Sequence, residues 1–121
     1  MTAPQHVLQA RALGFEYRSA QPVLRGVDFT ATAGRFTCIL GRNGSGKTTL
    51  LRCLLGWLRP GAGTILLDGK DIARHSRKAL ARLLAYVPQF PASTFAFPVR
   101  ELVLMGRFAH AGALGLAGEQ D

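Results

Sequence analysis

Eight consecutive residues, Gly41-Arg42-Asn43-Gly44-Ser45-Gly46-Lys47-Thr48, follow the order glycine, four residues, glycine, lysine, hydroxyl. That spacing is suited to phosphate. A triphosphate needs many inward-pointing donors and no side chain in the way, so Gly41, Gly44 and Gly46 let backbone N–H groups curl round its oxygens, with Asn43 and Ser45 completing the loop. Lys47 adds a point charge for the outer phosphates, and Thr48 supplies a hydroxyl that a phosphate-bound Mg²⁺ can take as ligand. A helix starting here aims its positive end at the same atoms. By chance the pattern arises in on the order of one per cent or fewer of chains this long.

Such a loop works only between a strand and a helix. Upstream, Phe36-Thr37-Cys38-Ile39-Leu40 is a short apolar run that predicts a buried strand. Downstream, Leu50, Leu51, Leu54, Leu55 and Leu58 predict a helix with one apolar face, ended by Arg59-Pro60-Gly61.

With 121 residues, 48% of them hydrophobic, the chain can bury a core as one small domain or part of a larger one. No apolar run approaches the about 18 residues that span a bilayer, because Arg52 and Arg59 interrupt the richest stretch. Residues 1–15 hold no signal-type apolar segment, which places the chain in the cytoplasm unless a partner holds it at a membrane. Cys38 and Cys53 lie far from metal-ligand spacing and read as small buried hydrophobes. The net charge of +8 comes from scattered arginines and lysines. A solvated basic surface is favoured over a nucleic-acid site.

In chain order, Val7 to Phe15 alternates like an edge-type antiparallel strand, and Val23 to Thr32 alternates again after a turn at Arg18 to Pro22. Beyond the loop helix, Thr64 to Leu67 reads as a strand closed by the tight turn Asp68-Gly69. Ser76 is a candidate N-cap for a helix from Arg77 to about Leu83. Ala85-Tyr86-Val87 reads as a buried strand, and Pro98 as the first residue of a helix carrying Val99, Leu102 and Val103 on one face. His6, His75 and His110 read as surface residues.

Together, Leu40 to Leu51 around the loop, Tyr17 upstream and Tyr86-Val87-Pro88-Gln89 downstream resemble the ATP-binding subunit of ABC transporters, over nearly the whole chain. Phe97 to Arg107 looks most like importers of metal chelates: iron siderophores, haem or cobalamin. The implied fold is an α/β P-loop NTPase domain of ABC type, truncated, with an N-terminal antiparallel β layer and a partial parallel core across residues 1–121.

The resemblance carries roles to individual positions. Tyr17 matches the adenine-stacking aromatic, the alternative being a strand-end Tyr packed on the core. Thr49 can reach the inner phosphates or be an ordinary first-turn residue. Gln89 matches the glutamine that ligates Mg²⁺, orients the attacking water and reports nucleotide state to the membrane subunit; without its Tyr-Val-Pro context it would read as a surface loop residue. Residues 90–97, aromatic yet broken by prolines, match the region that receives the permease's coupling helix.

The signature motif, the acidic strand with its catalytic Glu and the switch His do not occur before Asp121, and the small, Gly-rich stretch from Ala109 looks cut rather than finished. Lys47 and Gln89 are therefore the catalytic candidates present, and the chain is expected to bind ATP and Mg²⁺ better than it hydrolyses ATP. As implied by the resemblance, partners are membrane-spanning permease subunits, a second copy in a homodimer and, indirectly, an extracytoplasmic solute-binding protein, with no nucleic acid. The location is peripheral, on the cytoplasmic face of the membrane. A soluble ABC-type ATPase acting on nucleic acid or ribosomes and a non-catalytic nucleotide-binding fragment remain as alternatives.

Overall fold

The structure is a computed structural model that describes residues 6–18, 21–89 and 96–110. It comprises two compact units, Met1–Ser76 and Arg77–Asp121.

In the first unit, strands β1 (Val7–Glu16), β2 (Pro22–Thr32), β3 (Ala62–Leu67) and β4 (Lys70–Asp71) form one sheet in the order β2-β1-β3-β4. Every pairing is antiparallel, with Ala10 opposite Phe29 on β2 and Ile65 on β3. The expectation of an edge strand at Val7 to Phe15 is corrected, because β1 has a neighbour on each side. Alternation reports one buried face and says nothing of how many edges are paired.

β1 is irregular between Ala10 and Leu13. Ala12 takes a left-handed φ of 47°, and its N–H donates to Asp28 Oδ1 at 2.8 Å, a side-chain acceptor standing in for the ladder. The β3 residue facing this bulge is Gly63, at φ 79°. A side chain there would run into the carbonyl oxygens of Arg11 and Ala12, so only glycine lets the strands close.

The β3–β4 turn is the expected Asp68-Gly69, both residues at positive φ (52° and 77°). Asp68 also ties the turn to the start of β1, accepting from the Val7 N–H at 2.7 Å and pairing with His6 Nδ1 at 2.6 Å. His6 and Val7 hold the Asp68 carboxyl below the usual carboxylate value, the imidazole bond first and the backbone bond second.

Helix α1 (Lys47–Leu54) buries Leu50, Cys53 and Leu54, the three-and-four spacing of one face. Its end is earlier than Arg59-Pro60-Gly61: Gly56, at φ 72°, reverses the chain, and Trp57 and Leu58 return their N–H groups to the Arg52 carbonyl. The buried core of this unit is completed by Ala10, Leu13, Leu24, Ile65 and Leu67 of the sheet and Ile72 of the short 3₁₀ turn Ile72–Arg74.

Two expected buried strands do not form. Residues 36–40 are irregular, with Phe36 fully exposed and Leu40 90% exposed, and 85–87 are irregular with Val87 89% exposed. An apolar run becomes a strand only where a neighbour completes its backbone hydrogen bonds, and neither run has strand pairing among the described residues. The sheet described is thus the antiparallel layer, without parallel pairs. Cys38 shares this exposure, against the buried expectation, whereas Cys53 is fully buried and burial raises its thiol pKa. His75 is half-buried rather than on the surface, with its Nε2 enclosed and lacking a hydrogen-bond partner.

In the second unit, α2 (Arg77–Leu83) buries Leu80, as its apolar spacing requires. α3 (Val99–Met105) follows Pro98, which caps the helix instead of opening it: Pro98 has ψ 141°, and its carbonyl accepts from Glu101 and Leu102. None of its residues is buried; Val99, Leu102 and Val103 are exposed. Arg82 Nε donates to the Ala109 carbonyl at 2.6 Å.

Candidate functional site

The glycine loop is assembled by backbone geometry that most residues avoid. Gly44 and Gly46 stand at φ 81° and 94°, and the Ser45 N–H donates to the Arg42 carbonyl at 3.1 Å between them. Ser45 lies over Gly41 so closely that a methyl group on Gly41 would fall 2.6 Å from Ser45 Oγ. Gly46 packs on β2, where an added Cβ would meet Val23 Cγ1 at 3.1 Å and Leu24 Cδ2 at 3.2 Å. The sheet thereby fixes where α1 begins.

Gly46 is the N-cap of α1 and offers no side-chain acceptor. The Leu50 N–H donates to the Gly46 carbonyl at 2.8 Å as the helix opens. A helix start leaves its earliest N–H groups without intrahelical partners, so those of Lys47, Thr48 and Thr49 point outward as donors. The sequence predicts an anion site of this kind, and the open loop around Gly44, where an added Cβ meets nothing within 4 Å, leaves room for one.

Lys47 Nζ donates to the Gly41 carbonyl at 2.7 Å and the Arg42 carbonyl at 2.8 Å, which keeps the ammonium at the mouth of the loop. Thr48 is exposed on the first turn, and Asn43 is exposed at the loop tip.

Tyr17 follows β1 and is 42% exposed. Its hydroxyl meets Thr49 Oγ1 at 3.3 Å, and its ring meets Phe15 edge-to-face with centroids 4.9 Å apart at 85°. Thr49 is itself buried, at 7% exposure. Sequence reasoning named Tyr17 and Thr49 separately and missed both their contact and Phe15. The two-residue step from Phe15 to Tyr17, which returns a side chain to one face of a strand, was the signal available for the latter. In the second unit Gln89 is exposed at a bend after Pro88. Of the aromatic loop at 90–97, residues 90–95 lie outside the described residues, and Phe97 is exposed. Among the described residues no group of His, Cys, Asp and Glu could hold a metal ion by itself.

A glycine loop of this spacing that opens a helix is the mark of the phosphate-loop class, although the run before it, 36–40, is irregular here. The family described as "ABC transporter" matches residues 24–112, and the chain belongs to it. Among its relatives, the hemin import ATP-binding protein HmuV of Rhodopseudomonas palustris is 46% identical over 99 residues, covering 82% of this chain and 37% of that protein. The achromobactin transport ATP-binding protein CbrD of Dickeya dadantii is 36% identical over 114 residues, covering 94% and 42%. The chain thus spans about two fifths of these relatives' length. A solved ATP binding subunit of an ABC transporter superposes with a TM-score of 0.76 at 28% identity over 86% of this chain and 42% of that one. A bacterial Atm1-family ABC exporter with ATP bound gives 0.67 at 32% identity over 74% and 16%.

Proposed function

We propose that these residues bind ATP with Mg²⁺ as the nucleotide-holding part of a subunit that powers solute import. The observation that carries this reading is the start of α1: Lys47, Thr48 and Thr49 present N–H groups beneath an open glycine loop, with the Lys47 ammonium held beside them by two carbonyls. On arrival of a triphosphate, Lys47 exchanges those neutral acceptors for charged phosphate oxygens, a stronger partner. The N–H groups of Gly44, Gly46, Lys47 and Thr48 take the remaining oxygens. Tyr17, exposed after β1, offers its ring to adenine.

The Thr48 hydroxyl is an oxygen ligand of the kind Mg²⁺ prefers, and the family resemblance gives the exposed Gln89 of the other unit a ligand role of its own. The ion would neutralise charge between the outer phosphates, while Lys47 and the loop hold them in line. Water activation needs a carboxylate; Asp68, which follows the apolar β3, is engaged by His6 and the Val7 N–H, and neither Glu101 nor Glu119 follows an apolar run, so these residues bind ATP without hydrolysing it on their own. In the working ATPase, hydrolysis drives the permease subunits through closure and reopening of a homodimer at the cytoplasmic face of the membrane. No described helix is long and apolar enough to cross a bilayer, in keeping with a peripheral subunit. The names of the hemin and achromobactin relatives support an iron chelate or haem as the solute, delivered by an extracytoplasmic binding protein.

Calorimetric titration of MgATP into the chain tests the binding step. Saturable one-site binding that Lys47→Ala removes supports it, together with phosphate release at the buffer rate; binding indifferent to Lys47→Ala overturns it.

A further inference from the structure

α3 lacks the usual sources of helix stability. It has seven residues, and isolated helices shorter than about 12–15 residues are marginal in water. Burial of an apolar face normally supplies the difference, yet none of its residues is buried. Its two ends must therefore contribute more. At the first, the Pro98 carbonyl accepts from the Glu101 and Leu102 N–H groups, and the Glu101 carboxylate lies in the first turn, where the helix dipole favours a negative charge. The last turn has no matching basic residue. Beyond it the chain tightens: Gly106, Arg107 and Phe108 donate to the Val103, Leu104 and Met105 carbonyls, and His110 to Arg107. A cation reaches the end of these turns from another helix. Arg82, in the last turn of α2, donates from Nε to the Ala109 carbonyl at 2.6 Å, a contact between residues 27 apart. Its guanidinium thus stands near the C-terminal ends of both helices, where a positive charge is favoured.

We propose that Arg82 is a latch for α3: from α2 it caps the turns that end α3, and the helical population of α3 follows that bond. With the latch closed, the exposed side chains of Val99, Leu102 and Val103 are held in helical register. With it open, the segment loses that register while the first unit is unaffected. The device is independent of nucleotide binding, since both partners belong to the second unit.

The test is NMR on the full 121-residue chain, reading amide exchange and Cα shifts residue by residue. Arg82→Met keeps an apolar stem and removes both the donor and the charge. Amides of Leu102 to Gly106 should exchange about three- to tenfold faster, and the Cα shifts of α3 should move toward coil values. Amides of β1 and α1 should be unchanged. Arg82→Lys, which keeps a charged donor, should restore part of the protection. Should Arg82→Met not fold, Arg82→Gln, neutral and polar at this exposed position, carries the same comparison. Unchanged exchange and shifts in α3 overturn the proposal. Equal acceleration in α3, β1 and α1 overturns it as well, because Arg82 then acts on the stability of the whole chain.

Discussion

Replacing Gly46 by alanine should destabilise the fold more than the same change at Gly44, by an amount that the packing of the loop on β2 determines. Both residues stand at positive φ, 81° for Gly44 and 94° for Gly46, so each substitution incurs left-handed strain of about 1–2 kcal/mol. Each also removes a similar amount of freedom from the unfolded chain, so that contribution cancels in the comparison. Their surroundings differ. A Cβ on Gly44 meets nothing within 4 Å, whereas on Gly46 it meets Val23 Cγ1 at 3.1 Å, Leu24 Cδ2 at 3.2 Å and the Val23 carbonyl at 3.2 Å. The two side chains can give by tenths of an ångström, but the carbonyl belongs to the β2 backbone. Overpacking of this degree costs about 1–3 kcal/mol. Urea unfolding followed by far-ultraviolet circular dichroism should place the Gly46→Ala midpoint below that of Gly44→Ala by about 1 M, with equal slopes. Coincident midpoints would refute the claim that β2 fixes the start of α1.

Asp68 carries a pH dependence. Its carboxyl is held below the usual value by His6 and the Val7 N–H, so its contribution is fully present above the unfolded carboxylate pKa and is lost as pH falls through the lower, folded one. Asp68→Asn should flatten the fall in stability between about pH 5 and pH 2, read from thermal midpoints across that range. The two thiols should separate in rate: exposed Cys38 reacts with a thiol reagent in the native protein, whereas Cys53, buried with a raised pKa, reacts only on unfolding. Peptide mapping after a timed pulse distinguishes them.

The loop and its helix were legible because Gly41 to Thr48 encodes a local conformation: positive φ at Gly44 and Gly46 is a property of the residues themselves. The Asp68-Gly69 turn was legible for the same reason. Residues 36–40 and 85–87 were misread because a buried strand is a property of its neighbours, and apolar composition alone does not supply them. The interior place of β1 was hidden in the same way. The Tyr17–Thr49 contact joins residues 32 apart in sequence, so no local pattern could carry it. Gly56 ended α1 ahead of the arginine and proline that composition suggested, because a left-handed glycine reverses the chain as soon as it occurs.

Backbone amide NMR of the isotopically labelled chain during MgATP titration tests the central claim most directly. Binding at the loop predicts saturable shifts concentrated at Gly44, Ser45, Gly46, Lys47, Thr48 and Thr49, with a further change at Tyr17, and their loss in Lys47→Ala. Unmoved loop amides, or shifts confined to the scattered surface arginines, would contradict it.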